Sequence, residues 1–260
     1  MNIVVLAKQI PDAEAHIDIG NDEKGLTIEQ KFTANVFDEF AMEEALRLKE
    51  KHGGKVKVIT LGAGKATEVL RTGIAMGADE VLLLEDGAFL NGDGYTTALA
   101  LSRAAALEPF DVILCGRQAI DDDRGEVGPM VAQFLGIPHG GGITKLDVAD
   151  GNATIECPVE GAKETIEVNL PAVFTAQKGL NEPRVPPIMG VMKAMKATIP
   201  RVTPADLGIS PEEAGASGSK VKTGRYFHPK KRAAVQMIPG EPNEAAVEAV
   251  RILMDVERIL

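Results

Sequence analysis

Short apolar runs and amphipathic segments alternate through roughly the first 135 residues, and this alternation constrains the fold more than any other feature. The chain opens on Asn2–Ala7, a β-branched apolar run of the kind buried on both faces of a parallel sheet. Asp38 to Lys51 follows as a helix, with Phe37, Ala41, Ala45 and Leu48 on one stripe. Its acids sit early, its bases sit late, and Gly53-Gly54 ends it, all in agreement with the helix dipole. Val56–Leu61, Val81–Leu84 and Phe110–Cys115 read as further strands. Helices from near Ala66 to Gly77 and from a cap at Asp93 to about Leu107 separate them. The pattern predicts an α/β fold: a doubly wound, mostly parallel sheet joined by right-handed crossovers.

After Pro138 the pattern changes. Gly140-Gly-Gly142 reads as a flexible joint, and Ala153–Val159 with Glu164–Val168 as paired antiparallel strands turning at Gly161-Ala162. Pro171–Ala176 is another apolar strand. From Gly179 onward Pro and Gly are frequent, until a last helix capped by Asn243 that carries Ala246, Val247, Val250, Leu253 and Met254 on one face. Between Gly215 and Gln236 stand Lys220, Lys222, Arg225, Lys230, Lys231 and Arg232, with no acidic residue. A solvated loop and an arm lying on a partner both fit that stretch. The unmatched apolar face of the last helix favours the arm. The expected organisation is a domain over residues 1–200 and an arm over 201–260.

Twenty-eight basic against 38 acidic residues give a net charge of −10, which disfavours phosphate-backbone binding. With no Trp and two Tyr there is no aromatic platform for single strands, so nucleic acid is not an expected partner. His16, His52, His139 and His228 are scattered without ligand spacing, so no metal site is expected. Cys115 and Cys157 lie in apolar strand contexts; one disulfide is a possible reading, and two buried thiols of a reducing compartment is the favoured one. The opening lacks a signal-peptide pattern, and no apolar run approaches the ~18 residues of a membrane span. A soluble, cytoplasmic protein is expected. Hydrolase and P-loop motifs are missing, so any chemistry falls to a cofactor.

The most informative segment runs from Cys115 to Met130, between a predicted strand and a predicted helix, Val127–Leu135. Ligands of open α/β sheets bind at the carboxyl ends of strands. Gly116, Gly125 and Gly128 would let backbone amides approach a phosphate near a helix N-terminus. The carboxylates of Asp121–Asp123 suit ribose hydroxyls, or alternatively cap the next helix. Metal binding by them is disfavoured, because consecutive carboxylates diverge. Gly62-Ala-Gly64 offers a second backbone cradle.

The runs CGRQAIDDD, LAKQIPD and NVFDEFAMEEALRLKE, and LPAVFTA followed by NEPRVPPIMGVMKAMKA, together resemble the beta subunit of electron-transfer flavoproteins, in order and over nearly the whole chain. That resemblance implies a Rossmann-like nucleotide-binding domain whose C-terminal arm embraces an alpha subunit carrying its own FAD. It places the adenine-nucleotide pocket at Leu6, at Asn35, Val36, Phe37 and Asp38, and at Ala63 and Gly64. The same pocket takes in Gly116, Arg117, Gln118, Ala119 and Ile120. It continues through Asp121, Asp122, Asp123 and Arg124 to Gly125, Glu126, Val127 and Gly128. Arg117 and Gln118 are expected nearest the cofactor, and no residue is expected to be catalytic. Glu182–Lys196 resembles the loop that docks on acyl-CoA or related dehydrogenases, with Ile188 as apolar anchor beside Met189 and Lys193.

Family members hold either a structural AMP or a second FAD in this subunit. The FAD kind takes hydride from NADH and bifurcates its electrons, with ferredoxin or flavodoxin as a further acceptor. Asp121-Asp-Asp123 resembles the AMP kind. Glu126-Val-Gly-Pro129, Asp38 and the run Gly190–Pro200 resemble the other. The reading adopted is FAD in this subunit, with AMP as the alternative. A nucleotide-sensing module without redox chemistry is the competing class.

Overall fold

The computed structural model describes residues 1–231, 234–235 and 237–259, so Arg232 and Gln236 of the basic stretch lie outside the described residues. The chain forms two compact units, Met1–Arg225 and Tyr226–Leu260. Unit one is built on seven parallel strands: β1 (Asn2–Leu6), β2 (Lys55–Leu61), β3 (Glu80–Leu84), β4 (Val112–Gly116), β5 (His139–Ile143), β6 (Ala172–Ala176) and β7 (Arg201–Val202). Their spatial order is β7-β3-β2-β1-β4-β6-β5. Helices α1 (Val36–His52), α2 (Thr67–Met76), α3 (Gly94–Ala105), α4 (Val127–Leu135) and α5 (Ile188–Lys196) complete it.

The apolar runs are continuous because the strands are covered on both faces. Ile3 and Val5 of β1 join Ala41 and Met42 of α1 and Leu70 of α2 in one core. Val4 and Leu6 join Ala98 and Leu101 of α3 and Val131 of α4 in the other. Alternate residues of one strand thus serve opposite layers. The sheet is wound outward from β1 to β2 and β3 on one side and resumes with β4 on the other. The crevice of such a sheet opens where the order reverses, at the carboxyl ends of β1 and β4. Leu6 pairs there with Cys115.

Three expectations need correction. Gly140–Gly142 is not a joint but part of β5, hydrogen-bonded in parallel to β6. A Cβ on Gly140 would come within 2.5 Å of Ile155 and 2.8 Å of Phe174, so close packing rather than flexibility requires glycine. The last helix, α6 (Pro242–Arg251), starts before Asn243, with Glu241 at its N-cap and no side-chain cap. None of its residues is buried, in keeping with an apolar face that needs a partner. Finally, residues after 200 begin inside the first unit. β7 extends the sheet edge beside β3, and Leu207, Ile209 and Ala214 are buried with the α3 core.

The antiparallel expectation takes form as three strands, Lys145–Ala149, Asn152–Val159 and Ala162–Asn169. Two small pairings before α1 had no sequence signal: Gln9–Pro11 with Phe32–Ala34, and Ile17–Ile19 with Leu26–Ile28. No helix among the described residues is long and apolar enough to cross a membrane.

Candidate functional site

The first turn of α1 closes the switch point. Asp38 is buried, and its two carboxylate oxygens accept from the amides of Lys8 and Gly116, each at 2.7 Å. One side chain thereby ties the ends of β1 and β4 together. A Cβ on Gly116 would lie 2.5 Å from the Asp38 carboxylate and 2.6 Å from Phe37, so only glycine permits this approach. Burial pushes the Asp38 carboxyl up to about 7, against the pull of those amides and of Asn35. Asn35, also buried, donates to the Gln118 carbonyl at 2.9 Å and accepts from the Ile120 amide at 3.2 Å. Two residues a helical turn apart therefore fix both strand ends and the loop beyond β4. Val36 stands exposed between them, and Phe37 is half-buried.

The loop is acidic on one side and donor-rich on the other. Lys8 Nζ bridges Asp121 at 2.8 Å and Asp122 at 3.1 Å. Gln118 donates to Asp123 at 2.8 Å, and Asp123 holds a left-handed φ of 52°. The capping alternative for the three aspartates falls, since Glu126 is the N-cap of α4 and no side chain caps it. The amides of Gly125, Glu126, Val127 and Gly128 meet no acceptor among the described residues. These are the orphan donors of a helix start, where the dipole favours an anion. Gly125, at φ 63°, turns the chain into that position. Gly128 is buried, and a Cβ there would meet Thr175 at 2.5 Å. Arg117 donates its amide to Ala176 and its guanidinium to Gln177 at 3.1 Å. Ala119, Ile120 and Arg124 complete the loop, and Arg124 pairs with Glu126 at 3.3 Å.

Leu6 lines the buried floor at the end of β1, while Ala63 and Gly64 stand exposed after β2. The Gly64 amide donates to the Glu85 carboxylate at 3.0 Å, so the expected second phosphate cradle already holds an anion. The structure thus brings Leu6, Asn35, Asp38 and the 116–128 loop together and leaves Gly64 facing a carboxylate.

Farther along α1 a second cluster, unread in the sequence, anchors the segment that leads into α5. Arg184 donates to Glu43 through Nε at 2.8 Å and Nη2 at 3.1 Å, and to Glu50 at 2.6 Å. Asn181 donates to the Phe40 carbonyl and to Glu44, while Arg47 adds a bond to Glu43. Burial alone would raise the Glu43 carboxyl; Arg184 and Arg47 outweigh it and hold it below the usual carboxylate range. Two adjacent buried glutamates in a helix stripe were the available signal. Beyond this clamp α5 packs on α2, with Gly190 against the Ala75 backbone and Arg71 donating to the Ala194 carbonyl. Its outer face is apolar and open: Ile188 is 80% exposed, Met189 76% and Met195 72%, with Lys193 beside them. Ile188 is a surface residue, not a core one.

The fold and site define a doubly wound α/β protein with an anion-ready crevice at its switch point and an exposed apolar helix held at its side. A family model, the electron transfer flavoprotein domain, matches residues 26–207. The chain is 39% identical over 263 residues to the electron transfer flavoprotein subunit beta of Bacillus subtilis, covering all of both chains. It is 38% identical over 257 residues to the protein of that name from Thermoanaerobacterium thermosaccharolyticum, covering 97% of this chain and 98% of the relative. It is also 36% identical over 261 residues to the caffeyl-CoA reductase–Etf complex subunit CarD of Acetobacterium woodii, covering 98% of each. The chain belongs to the electron transfer flavoprotein family and has the role of its beta subunit, which implies an alpha-subunit partner.

Proposed function

We propose that this chain holds the adenosine and phosphate portions of FAD in the crevice between β1 and β4. With the alpha subunit, which carries its own FAD, it delivers electrons to an acyl-CoA or related dehydrogenase. The observation that carries the reading is the row of amides at Gly125–Gly128 without acceptors, beside strand ends already fixed by Asp38. They are positioned to hold phosphate oxygens without reorganisation. The carboxylates of Asp121 and Asp122 stand where ribose hydroxyls need acceptors, and Lys8 keeps them oriented. A bound flavin would supply the electron transfer; the chain's own work is to bind, orient and exclude water. The α5 face, an aliphatic and methionine surface with basic residues, suits an adaptable contact with several dehydrogenases. In the bifurcating form, NADH is the donor and ferredoxin or flavodoxin a further acceptor. Two buried free thiols support a reducing, cytoplasmic setting.

The test is the flavin and AMP content of the purified heterodimer. Two flavins and no AMP are expected; one flavin and one AMP would assign the structural-AMP form. A colourless complex would refute the redox reading altogether.

A further inference from the structure

Nine methionines are present, and burial sorts them. Met42 and Met76 lie in the core, at 0% and 5% exposure, and Met1 and Met130, partly buried, pack against its two layers. Met237 and Met254 belong to the second unit. The other three, Met189, Met192 and Met195, all stand on α5, at 76%, 49% and 72% exposure. Their spacing of three residues places them within about 120° of one another around the helix. Ile188 and Val191, also exposed, share that side.

None of these sulfurs seats the helix. Ala194 supplies its buried contact, and Gly190 closes on α2 so tightly that a Cβ there would lie 2.2 Å from the Ala75 carbonyl oxygen. Arg71 donates to the carbonyls of Ala194 and Met195. Backbone and small side chains hold α5 in place, so the chemistry of its open face can change without unseating it. Leucine would present as much apolar surface there. What methionine adds is conformational freedom and a nucleophilic sulfur.

We propose that the three thioethers of α5 form a reversible oxidation site, through which hydrogen peroxide weakens docking on the dehydrogenase. The proposal rests on the reading of α5 as the docking face and deepens it. The sulfur attacks one peroxide oxygen: an S–O bond forms, the O–O bond breaks, and sulfur gives up two electrons. The departing hydroxide takes a proton and leaves as water. The product is a sulfoxide, whose strong acceptor oxygen loses water when an apolar partner surface covers it. Thiol-dependent reductases return it to the thioether, oxidising two thiols to a disulfide and releasing water. Met42 and Met76, closed off in the core, are spared, so the fold survives a treatment that alters the face.

The test exposes the purified heterodimer to dilute hydrogen peroxide, removes the peroxide with catalase, and then adds untreated acyl-CoA dehydrogenase. Peptide mass spectrometry should find oxygen on Met189, Met192 and Met195 before Met42 and Met76. The KM for the dehydrogenase should rise about tenfold or more, with kcat, flavin content and thermal melting unchanged. Methionine sulfoxide reductases should restore it. A variant carrying Met189→Leu, Met192→Leu and Met195→Leu, compared with its own untreated form, should keep its KM through the same treatment, although every other methionine of the complex stays oxidisable. An equal rise in that variant, or α5 sulfurs that oxidise no faster than the core ones, overturns the proposal. Ile188→Ala separates it from the docking reading. A KM raised by Ile188→Ala but indifferent to oxidised α5 overturns the oxidation site alone, whereas a KM indifferent to both overturns the docking face.

Discussion

Replacing Asp38 with Asn tests how the crevice is held. The carboxyl has an ordinary value of 3.8 and is pushed up to about 7 by burial. Its charge is met by two amides, while the Lys8 ammonium is drawn to Asp121 and Asp122. The folded chain keeps this proton where the unfolded chain has already released it. Between these values the native state therefore binds more protons, and the group's contribution to stability falls as pH rises. At about 1.4 kcal/mol per pH unit, the loss between about pH 5 and pH 8 is roughly 3 kcal/mol, reached as pH passes 7. Asn keeps one acceptor but turns an N–H toward the second strand-end amide, a pH-independent cost of ~1–3 kcal/mol. Urea unfolding of both proteins at several pH values cancels every other titrating group. The variant should be the less stable near pH 5 and should gain on the wild type by roughly 3 kcal/mol by pH 8. ADP affinity should be weaker in the variant throughout, because the loop loses its tie. A stability gap that stays constant with pH, or widens in favour of the wild type, refutes this account of Asp38.

Gly116→Ala should destabilise the first unit by ~1–3 kcal/mol and abolish ADP binding, because the new methyl meets Phe37 at 2.6 Å and the Asp38 carboxylate at 2.5 Å. Chemical denaturation and calorimetry check both. Arg184→Met should cost about 2 kcal/mol, less than a fully buried pair because Arg184 is partly exposed, and should raise the KM for the partner dehydrogenase without changing flavin content. Ile188→Ala, at a position 80% exposed, should leave stability and flavin content unchanged while slowing electron delivery. Removing residues 226–260 should leave the first unit folded but prevent co-purification with the alpha subunit. Full recovery of the pair would refute the arm.

The central strands were legible because burial on both faces writes them as unbroken apolar runs, and α1 because its terminal glycine, charges and stripe agree. The loop from Gly116 to Gly128 was legible as a strand-to-helix turn rich in glycine. Its fixing by Asn35 and Asp38 was not, because those residues lie some 80 positions away (Gly116 to Asp38 is 78) and long-range contacts have no local period. The three glycines of β5 were misread for a related reason. A glycine required by a neighbour's side chain looks, in one dimension, like a glycine required by a turn. The three-residue pairings before α1 escaped because strands so short show no alternation. The end of the first unit was missed because β7 has only two residues and Leu207 and Ile209 are isolated among polar neighbours.

One element carries both sites. α1 has 17 residues, a length of ~25 Å, and its first turn holds the strand ends while Glu43 and Glu44, farther along, hold Asn181 and Arg184. Ala41 and Met42, both fully buried between these clamps, and Ala45 just beyond them seat the helix on the sheet. Substitutions at the two clamps therefore separate the functions: Asp38 moves nucleotide affinity, and Arg184, held by Glu43, moves docking. A substitution in the middle should not separate them. Met42→Ala opens a cavity worth ~2–5 kcal/mol beneath the helix. If α1 is the common support, this change weakens ADP binding and raises the dehydrogenase KM together, whereas a loss confined to one of them would show that the sites are held independently.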